Sequence, residues 1–272
     1  MKLKGQAFLY LDGEKIAVWP NTIWADVFKD ILDKVIDNSD YDDSLVPTRL
    51  ALQAYGGDNF SYNFSQPITG RNFGIDGSDS YIEFVANGFY PTSSDLQPVV
   101  ISQVFLMSDN KTLAQADSQD GNLYPNPNIR YYQHVQIKYR ITLSGAETDW
   151  MIQVLRVMMG YEYMGSGNWK ADNYRFVQPN MAKLYKDADY LAGTSFDLSL
   201  SINQQGANYQ RADSNIMFEG VALASGEPNK VSIFSNVSGD EIKVKDLTIS
   251  IRGGDFISGD SVLVPFHLIM YQ

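Results

Sequence analysis

Short runs of alternating apolar and polar residues recur along this chain, and clusters of Gly, Asn, Asp and Pro separate them. Such runs are typical of strands that bury one face, because successive side chains of a strand point to opposite sides. The predicted strands span residues 6–11, 15–19, 49–55, 60–64, 81–86, 99–107, 113–116, 134–143, 196–202, 215–224, 230–236, 243–251 and 261–271. Asp12-Gly13, between the first two, indicates a tight hairpin. We therefore predict a mainly β fold of antiparallel β-sandwich-like domains.

Two segments interrupt the strand pattern with helical spacing. Residues 21–37, directly after Pro20, have apolar side chains three or four positions apart, as does the segment 147–161. The apolar positions of the second segment are Trp150, Met151, Val154, Leu155 and Met158. Two accessory amphipathic α-helices are thus predicted, each packing on a sheet. A partner helix in an oligomer is the alternative for the first.

The junction at Leu143-Ser144-Gly145 is the predicted domain boundary, because a strong strand pattern ends there and helical spacing begins. Residues 1–144 would form an N-terminal β-rich domain that contains the first helix. Residues 145–272 would form a C-terminal domain of one helix and a second sandwich-like set of strands. No residue-level repeat relates the two halves.

Charge and composition exclude several classes of function. A net charge of −11 and 32 acidic residues against 21 basic ones repel phosphate backbones and anionic lipids, so we expect neither nucleic acid nor membrane as a partner. No apolar stretch approaches the roughly 20 residues that cross a bilayer. The chain has no cysteine, which removes disulfides and thiolate chemistry. Residues 1–18 alternate like a strand and lack a signal-peptide core, so synthesis in a cytoplasm is expected.

Catalytic motifs are missing from the sequence. The only histidines, His134 and His267, lie inside predicted strands, where a core or edge position is expected and zinc-ligand spacing is absent. There is no Gly-x-Ser-x-Gly elbow and no phosphate-binding glycine loop. We accordingly predict no catalytic residue, no cofactor and no metal. A pair of carboxylates from distant positions could still form a glycosidase site, which sequence alone does not test.

One segment combines aromatic residues with Gly, Asn and Asp. Its rings are Tyr161, Tyr163, Trp169, Tyr174 and Phe176. Aromatic faces stack on sugar rings while amides and carboxylates bind hydroxyl groups, but the same composition serves subunit interfaces and cores. We expect these rings to be buried in a core or an interface, with a saccharide platform as the alternative.

A resemblance to known proteins lies in residues 81–143. This stretch reads YIEFVANGFYPTSSDLQPVVISQVFLMSDNKTLAQADSQDGN and closes with HVQIKYRITL. It resembles the N-terminal regions of phage tail-collar fibre and baseplate proteins, in which an apolar strand, here 104–107, is followed by a short turn, Asp109-Asn110, and a second strand around Leu113. The preceding predicted helix and the segment PTRLALQAYGGDN fit the same pattern.

The resemblance implies a structural role in a virion, as a homo-oligomer docked with other tail or baseplate proteins and in contact with host cell-wall saccharide. The expected function is a non-enzymatic virion component that contributes to host attachment. The alternative is a carbohydrate-binding or receptor-binding β-sandwich module.

Overall fold

Strands dominate the structure of this chain, which confirms the mainly β prediction. The structure is a computed structural model. It describes residues 1–25, 45–55, 61–89, 99–118, 128–129, 133–157, 161–163, 169–171, 178–205, 211–237, 239–249 and 255–272. Within these residues the chain divides into two compact units: unit A lies between residues 2 and 143 and includes Gln272, and unit B comprises Met1 and residues 144–271.

Unit A is built on one long sheet of antiparallel neighbours. Its strands are β1 (Lys2–Leu11), β2 (Glu14–Trp24), β3 (Arg49–Tyr55), β4 (Ser61–Pro67), β5 (Gly70–Asp76), β6 (Asp79–Phe89), β7 (Val99–Ser108), β8 (Lys111–Asp117), β9 (Asn128–Ile129) and β10 (His134–Ser144). Their order is β5-β6-β10-β1-β2-β8-β7-β3-β4, and β9 also pairs with β7. The sheet curls so that β4 and β6 come together at Gly88. A Cβ atom at this glycine would lie 3.0 Å from the Phe64 ring.

The hairpin between β1 and β2 is the one that Asp12-Gly13 predicts. Both residues have left-handed backbone angles, with φ of 50° and 87°. A type I′ turn requires positive φ at both of its central residues, and glycine adopts it without steric cost. The local signal in the sequence therefore fixed the first strand pairing correctly.

The core of unit A follows the two-residue period of its strands. On β10 the positions 135, 137, 139, 141 and 143 are all fully buried, whereas the alternate positions are half-buried. Opposite β10, the inward residues Ile82, Phe84 and Ala86 of β6 are each about 1% exposed. The sandwich arrangement predicted for these layers stays a prediction.

The predicted start of the first helix is wrong. Pro20 and Asn21 do not end the strand, since β2 continues to Trp24 and pairs with β8 through Asn21 and Ala116. Pro20 lies at the last position that β2 pairs with β1, where a proline is tolerated because the ladder ends there. Tertiary pairing with β8 outweighs the local helical spacing. Residues 26–37 of the predicted helix lie outside the described residues.

A buried polar pair joins β10 to β2 in the core of unit A. The Tyr139 hydroxyl donates a hydrogen bond to Asn21 Oδ1. Tyr139 is fully buried and Asn21 is 8% exposed. Burial holds the pKa of Tyr139 well above its ordinary value, so the phenol remains a neutral donor. Asn21 fits because Gly5 faces it, and a Cβ atom at Gly5 would lie 2.6 Å from Asn21 Cβ.

Replacing this hydroxyl should destabilise unit A. Tyr139→Phe keeps the ring but leaves the Asn21 amide oxygen buried without its donor, so the free energy of unfolding should fall by about 1–3 kcal/mol. Urea denaturation measures the change. Tyr10→Phe, which removes a half-buried phenol on the outer face of β1, is the control and should change stability by less than about 0.5 kcal/mol. Equal losses in both variants would contradict the assignment.

Unit B has one helix in its described residues and a six-stranded antiparallel sheet. The helix is α1 (Thr148–Val157), and the sheet strands are β13 (Met181–Lys186), β14 (Asp189–Gln205), β15 (Arg211–Val221), β16 (Lys230–Val237), β17 (Asp240–Thr248) and β18 (Ser261–Tyr271). Their order is β17-β16-β13-β14-β15-β18. A separate two-stranded ribbon consists of β11 (Tyr161–Tyr163) and β12 (Trp169–Ala171).

Helix α1 lies within the second segment predicted to be helical. Trp150, Met151, Val154 and Leu155 form its buried face, and none of them is more than 1% exposed. Asp149 in the first turn and Arg156 in the last turn each carry the charge opposite to that of the helix dipole at their end, which stabilises the helix. The helix contacts β17, and the amide of Glu147, just before it, donates to the Val244 carbonyl. Helical spacing in the sequence thus identified this element correctly.

An ionic cluster on β16 and β17 gives unit B a pH-dependent contribution to stability. Burial opposes ionisation of Asp246, but the Ser232 hydroxyl at 2.5 Å, Lys243 at 3.2 Å and Lys230 at 3.8 Å outweigh it, and the pKa of Asp246 lies below its ordinary value. A lowered folded-state pKa stabilises the fold above the unfolded value and loses that effect as pH falls through the folded value.

Asp246→Asn should therefore cost up to about 1 kcal/mol at pH 7, as expected for a partly exposed ion pair. The difference from the wild type should shrink when pH falls below about 4, where the unfolded carboxyl also becomes protonated. Urea denaturation of both proteins at pH 7 and pH 3 measures it. A gap that widens in acid would contradict this account.

Candidate interaction surface

Three neighbouring strands of unit B alternate between a buried and an exposed face. On the inner face Phe196 of β14, Phe218 of β15 and Phe266 of β18 are between 0% and 8% exposed and pack into the core. The register of β15 with β18 pairs Phe218 with Val264 and Met217 with Pro265. Consecutive residues point to opposite faces, so Met217 and Pro265 belong to the outer face.

The outer face carries a contiguous apolar band. Leu200 pairs with Met217, and Met217 pairs with Pro265, which places three apolar positions in one row across the strands. Ile202 is the next residue of β14 on the same face, and Leu263 is the neighbouring same-face residue of β18, so both lengthen the row. Leu200, Ile202 and Leu263 are 51%, 47% and 58% exposed. We call these five residues the outer band.

The outer band is more than a scatter of single apolar residues. Isolated exposed leucines are normal on protein surfaces, but apolar side chains directly opposite one another on adjacent strands lie about 5 Å apart and form a continuous patch. Patches of this kind mark sites of protein association. Charged groups border it, among them Glu219 opposite Leu263 and Asp197 opposite Glu219. An apolar centre with a polar rim is the usual anatomy of a protein interface.

Strand β18 supports the same interpretation from its sequence. Residues 262–271 read VLVPFHLIMY, so apolar residues occupy both faces of the strand. The inner residues Val264, Phe266, Leu268 and Met270 are all buried. Strands apolar on both faces are typical of positions covered on both sides. The sequence predicts the strand but does not indicate a role for its second face.

The aromatic residues predicted to form a platform fall on the β11–β12 ribbon. Tyr161 and Tyr163 lie in β11 and Trp169 lies in β12. The backbone register pairs Tyr163 directly with Trp169, and Tyr161 with Ala171. Tyr174 and Phe176 lie outside the described residues. The structure thus brings one pair of the predicted aromatic positions together.

The two histidines occupy strand positions, as their sequence context predicts. His134 is half-buried at the start of β10, and its ring meets Phe89 edge-on with the ring centres 5.4 Å apart. Its backbone amide donates to Asp12 Oδ1 at 3.0 Å. His267 lies on the exposed face of β18 next to the outer band. These surroundings give each histidine a structural explanation.

No group of three or more acidic or histidine side chains that could hold a metal ion occurs in the part of the chain that the structure describes. Over the same residues no helix has the length and apolarity that crossing a membrane requires. Comparison with protein-family models, with curated proteins and with solved structures gave no match. The surfaces of this chain are therefore the features that indicate its function.

Proposed function

We propose that this chain is a non-enzymatic structural subunit that forms a homo-oligomer through the outer band of unit B. The observation that carries the proposal is the contiguous outward-facing apolar row of Leu200, Met217 and Pro265, extended by Ile202 and Leu263. An interface over the outer band would cover its exposed leucine and isoleucine side chains and remove their apolar surface from water. This removal is the dominant driving force of association.

A second copy of the chain is the simplest partner for this band. In a two-fold interface the same patch of each copy meets the patch of the other. Because the charges lie only at the border of the outer band, the centre of such an interface would bring apolar residues together and no acidic ones. The chain has a net charge of −11, so its copies repel each other over most of their surface. Association is then favoured only where charge is sparse, as in the outer band.

The resemblance of residues 81–143 to tail-collar fibre and baseplate proteins supports a virion tail or baseplate as the assembly. In this proposal the subunit is made in the host cytoplasm, its units are sandwich-like, and it docks with other virion proteins near the point of host attachment. The hairpin that carries the resemblance is present as β7 and β8, with Asp109 in a left-handed turn conformation.

The solution mass of the protein tests the proposal. Light scattering coupled to size-exclusion chromatography should give a defined multiple of the chain mass of 30.5 kDa. A dimer, trimer or larger closed ring would support an assembly subunit. A strict monomer at concentrations of about 100 μM, well above the dissociation constants of stable interfaces, would contradict it.

A carbohydrate-binding or receptor-binding module is the second candidate, and the pairing of Tyr163 with Trp169 on the β11–β12 ribbon favours it. If the ribbon binds sugar, Trp169→Ala should weaken binding to purified cell-wall polysaccharide about tenfold, because a stacked aromatic ring contributes on the order of 1–2 kcal/mol. Sedimentation with insoluble polysaccharide measures the change. Unchanged binding would remove Trp169 from that role.

A further inference from the structure

Three Asp-Gly pairs occur in the sequence, at Asp12-Gly13, Asp76-Gly77 and Asp120-Gly121. In such a pair the amide nitrogen of the glycine can attack the carboxyl carbon of the aspartate, because glycine has no side chain beside that nitrogen and its backbone is the most permissive. The third pair lies outside the described residues. The first two both lie at hairpin turns of unit A, so their surroundings can be compared directly.

Asp12 is held by its surroundings. Its Oδ1 atom accepts a hydrogen bond from the backbone amide of His134 at 3.0 Å, and its Oδ2 atom accepts one from Gln133 Nε2 at 3.1 Å. Its own amide donates to the His134 carbonyl at 2.9 Å. The carboxyl group would have to leave both donors before it could react with Gly13, so the fold protects this pair.

Asp76 has no such restraint. It is the last residue of β5, and it is exposed together with Gly77 and Ser78 of the turn to β6. Its side chain makes no hydrogen bond and no ion pair with any described residue. Within the same residues β5 pairs with β6 alone. Turns at the end of an edge strand open at low cost in free energy, so the backbone of this pair can rotate.

The Asn-Gly pair at Asn87-Gly88 is protected as well, although asparagine can form the same ring with loss of ammonia. Asn87 Nδ2 donates to Thr69 Oγ1 at 3.3 Å, and Gln136 Nε2 donates to Asn87 Oδ1 at 2.8 Å. Both residues of the pair lie within the ladder between β6 and β10, opposite Gln136 and Val135. Among the described pairs, Asp76-Gly77 is therefore the one that is both exposed and unrestrained.

We infer that Asp76 is a site of spontaneous isomerisation to isoaspartate. The Gly77 nitrogen bonds to Asp76 Cγ, while the carboxylic acid loses its hydroxyl group and the amide loses its proton, together as one molecule of water. The product is a cyclic succinimide. Addition of water to the main-chain carbonyl of this ring breaks the bond from that carbonyl to Gly77, so the chain then runs through Cβ and Cγ of Asp76. Water is the only co-reactant, and no electrons are transferred.

The product lengthens the main chain of the turn by one carbon atom. Only Gly77 and Ser78 lie between β5 and β6, and the length of so short a loop fixes the register of its hairpin. The pairing of Asp76 with Asp79 is then lost. The end of β5 should fray, whereas β6 stays ordered because it also pairs with β10.

Peptide mapping of the full chain after several weeks in mildly acidic buffer tests the inference. Chymotrypsin cleaves after aromatic residues and releases Asp12 and Asp76 in separate peptides, and electron-transfer fragmentation distinguishes isoaspartate from aspartate. Isoaspartate should form at Asp76 about tenfold faster than at Asp12, because two hydrogen bonds must break before Asp12 can react. In urea-unfolded chain the two rates should be similar, since both pairs are Asp-Gly.

Two variants complete the test. Asp76→Glu keeps the charge but would have to close a larger ring, so isoaspartate-type linkage at this position should disappear. Gln133→Ala removes one donor to Asp12 and should raise isoaspartate at Asp12 without changing it at Asp76. Equal rates at the two positions in the folded protein would overturn the inference. So would unmodified Asp76 in folded protein under conditions in which the unfolded chain reacts there.

Discussion

Leu200→Glu combined with Leu263→Glu is expected to convert the assembled protein into a monomer of 30.5 kDa. Both side chains are about half exposed, so the charges replace apolar surface without entering the core. In a two-fold interface each new carboxylate would meet others from the second copy, and desolvating like charges costs several kcal/mol. Such a loss raises the dissociation constant by a factor of roughly a thousand or more. Light scattering at matched concentrations measures the mass.

Ile75→Glu is the control for this change. Ile75 is 55% exposed on β5 of unit A, so the substitution alters an equally accessible apolar residue outside the outer band. Its mass should match that of the wild type. If Ile75→Glu also dissociates the protein, added negative charge anywhere on the surface is the cause. If the double variant keeps its full mass while remaining folded, the outer band is not the interface.

Trp150→Ala is expected to remove about 3–5 kcal/mol from the free energy of unfolding of unit B. Trp150 is the largest fully buried side chain among the described residues and is 1% exposed on α1. Truncation loses its transfer free energy and leaves a cavity, because a close-packed core relaxes only in part. A loss of this size approaches half the stability of many domains.

Urea denaturation followed by far-ultraviolet circular dichroism measures this loss. Trp150→Phe is the matched variant, because it keeps an aromatic ring in the site and should cost clearly less than alanine. If the alanine variant lost less than about 1 kcal/mol, the helix would contribute little to the core of unit B. If phenylalanine and alanine cost the same, ring packing would not be the cause.

Strands with clear alternation could be predicted from the sequence, whereas those formed by tertiary pairing could not. The pattern of β10 is regular, and the prediction of 134–143 differs from the strand by one residue. Strand β5 escaped prediction because GRNFGID has no buried apolar alternation and forms an edge on β6. The extension of β2 to Trp24 was missed for the related reason that its pairing with β8 is not local.

The outer band escaped prediction for a more specific reason. A β-bulge between Leu198 and Leu200 turns both Ser199 and Leu200 outward. An alternation counted along the sequence of β14 therefore assigns residues beyond the bulge to the wrong face, because one extra residue reverses the period. Only the register with β15 places Leu200 beside Met217.

The outward apolar residues of β18 also affect how the stability of this protein must be measured. If a second copy covers them, each folded chain is stabilised by mass action, and the midpoint of thermal unfolding rises with protein concentration. Dilution alone would then lower the melting temperature of an unaltered protein. Two preparations of the same chain would differ in apparent stability for no reason other than how concentrated they were.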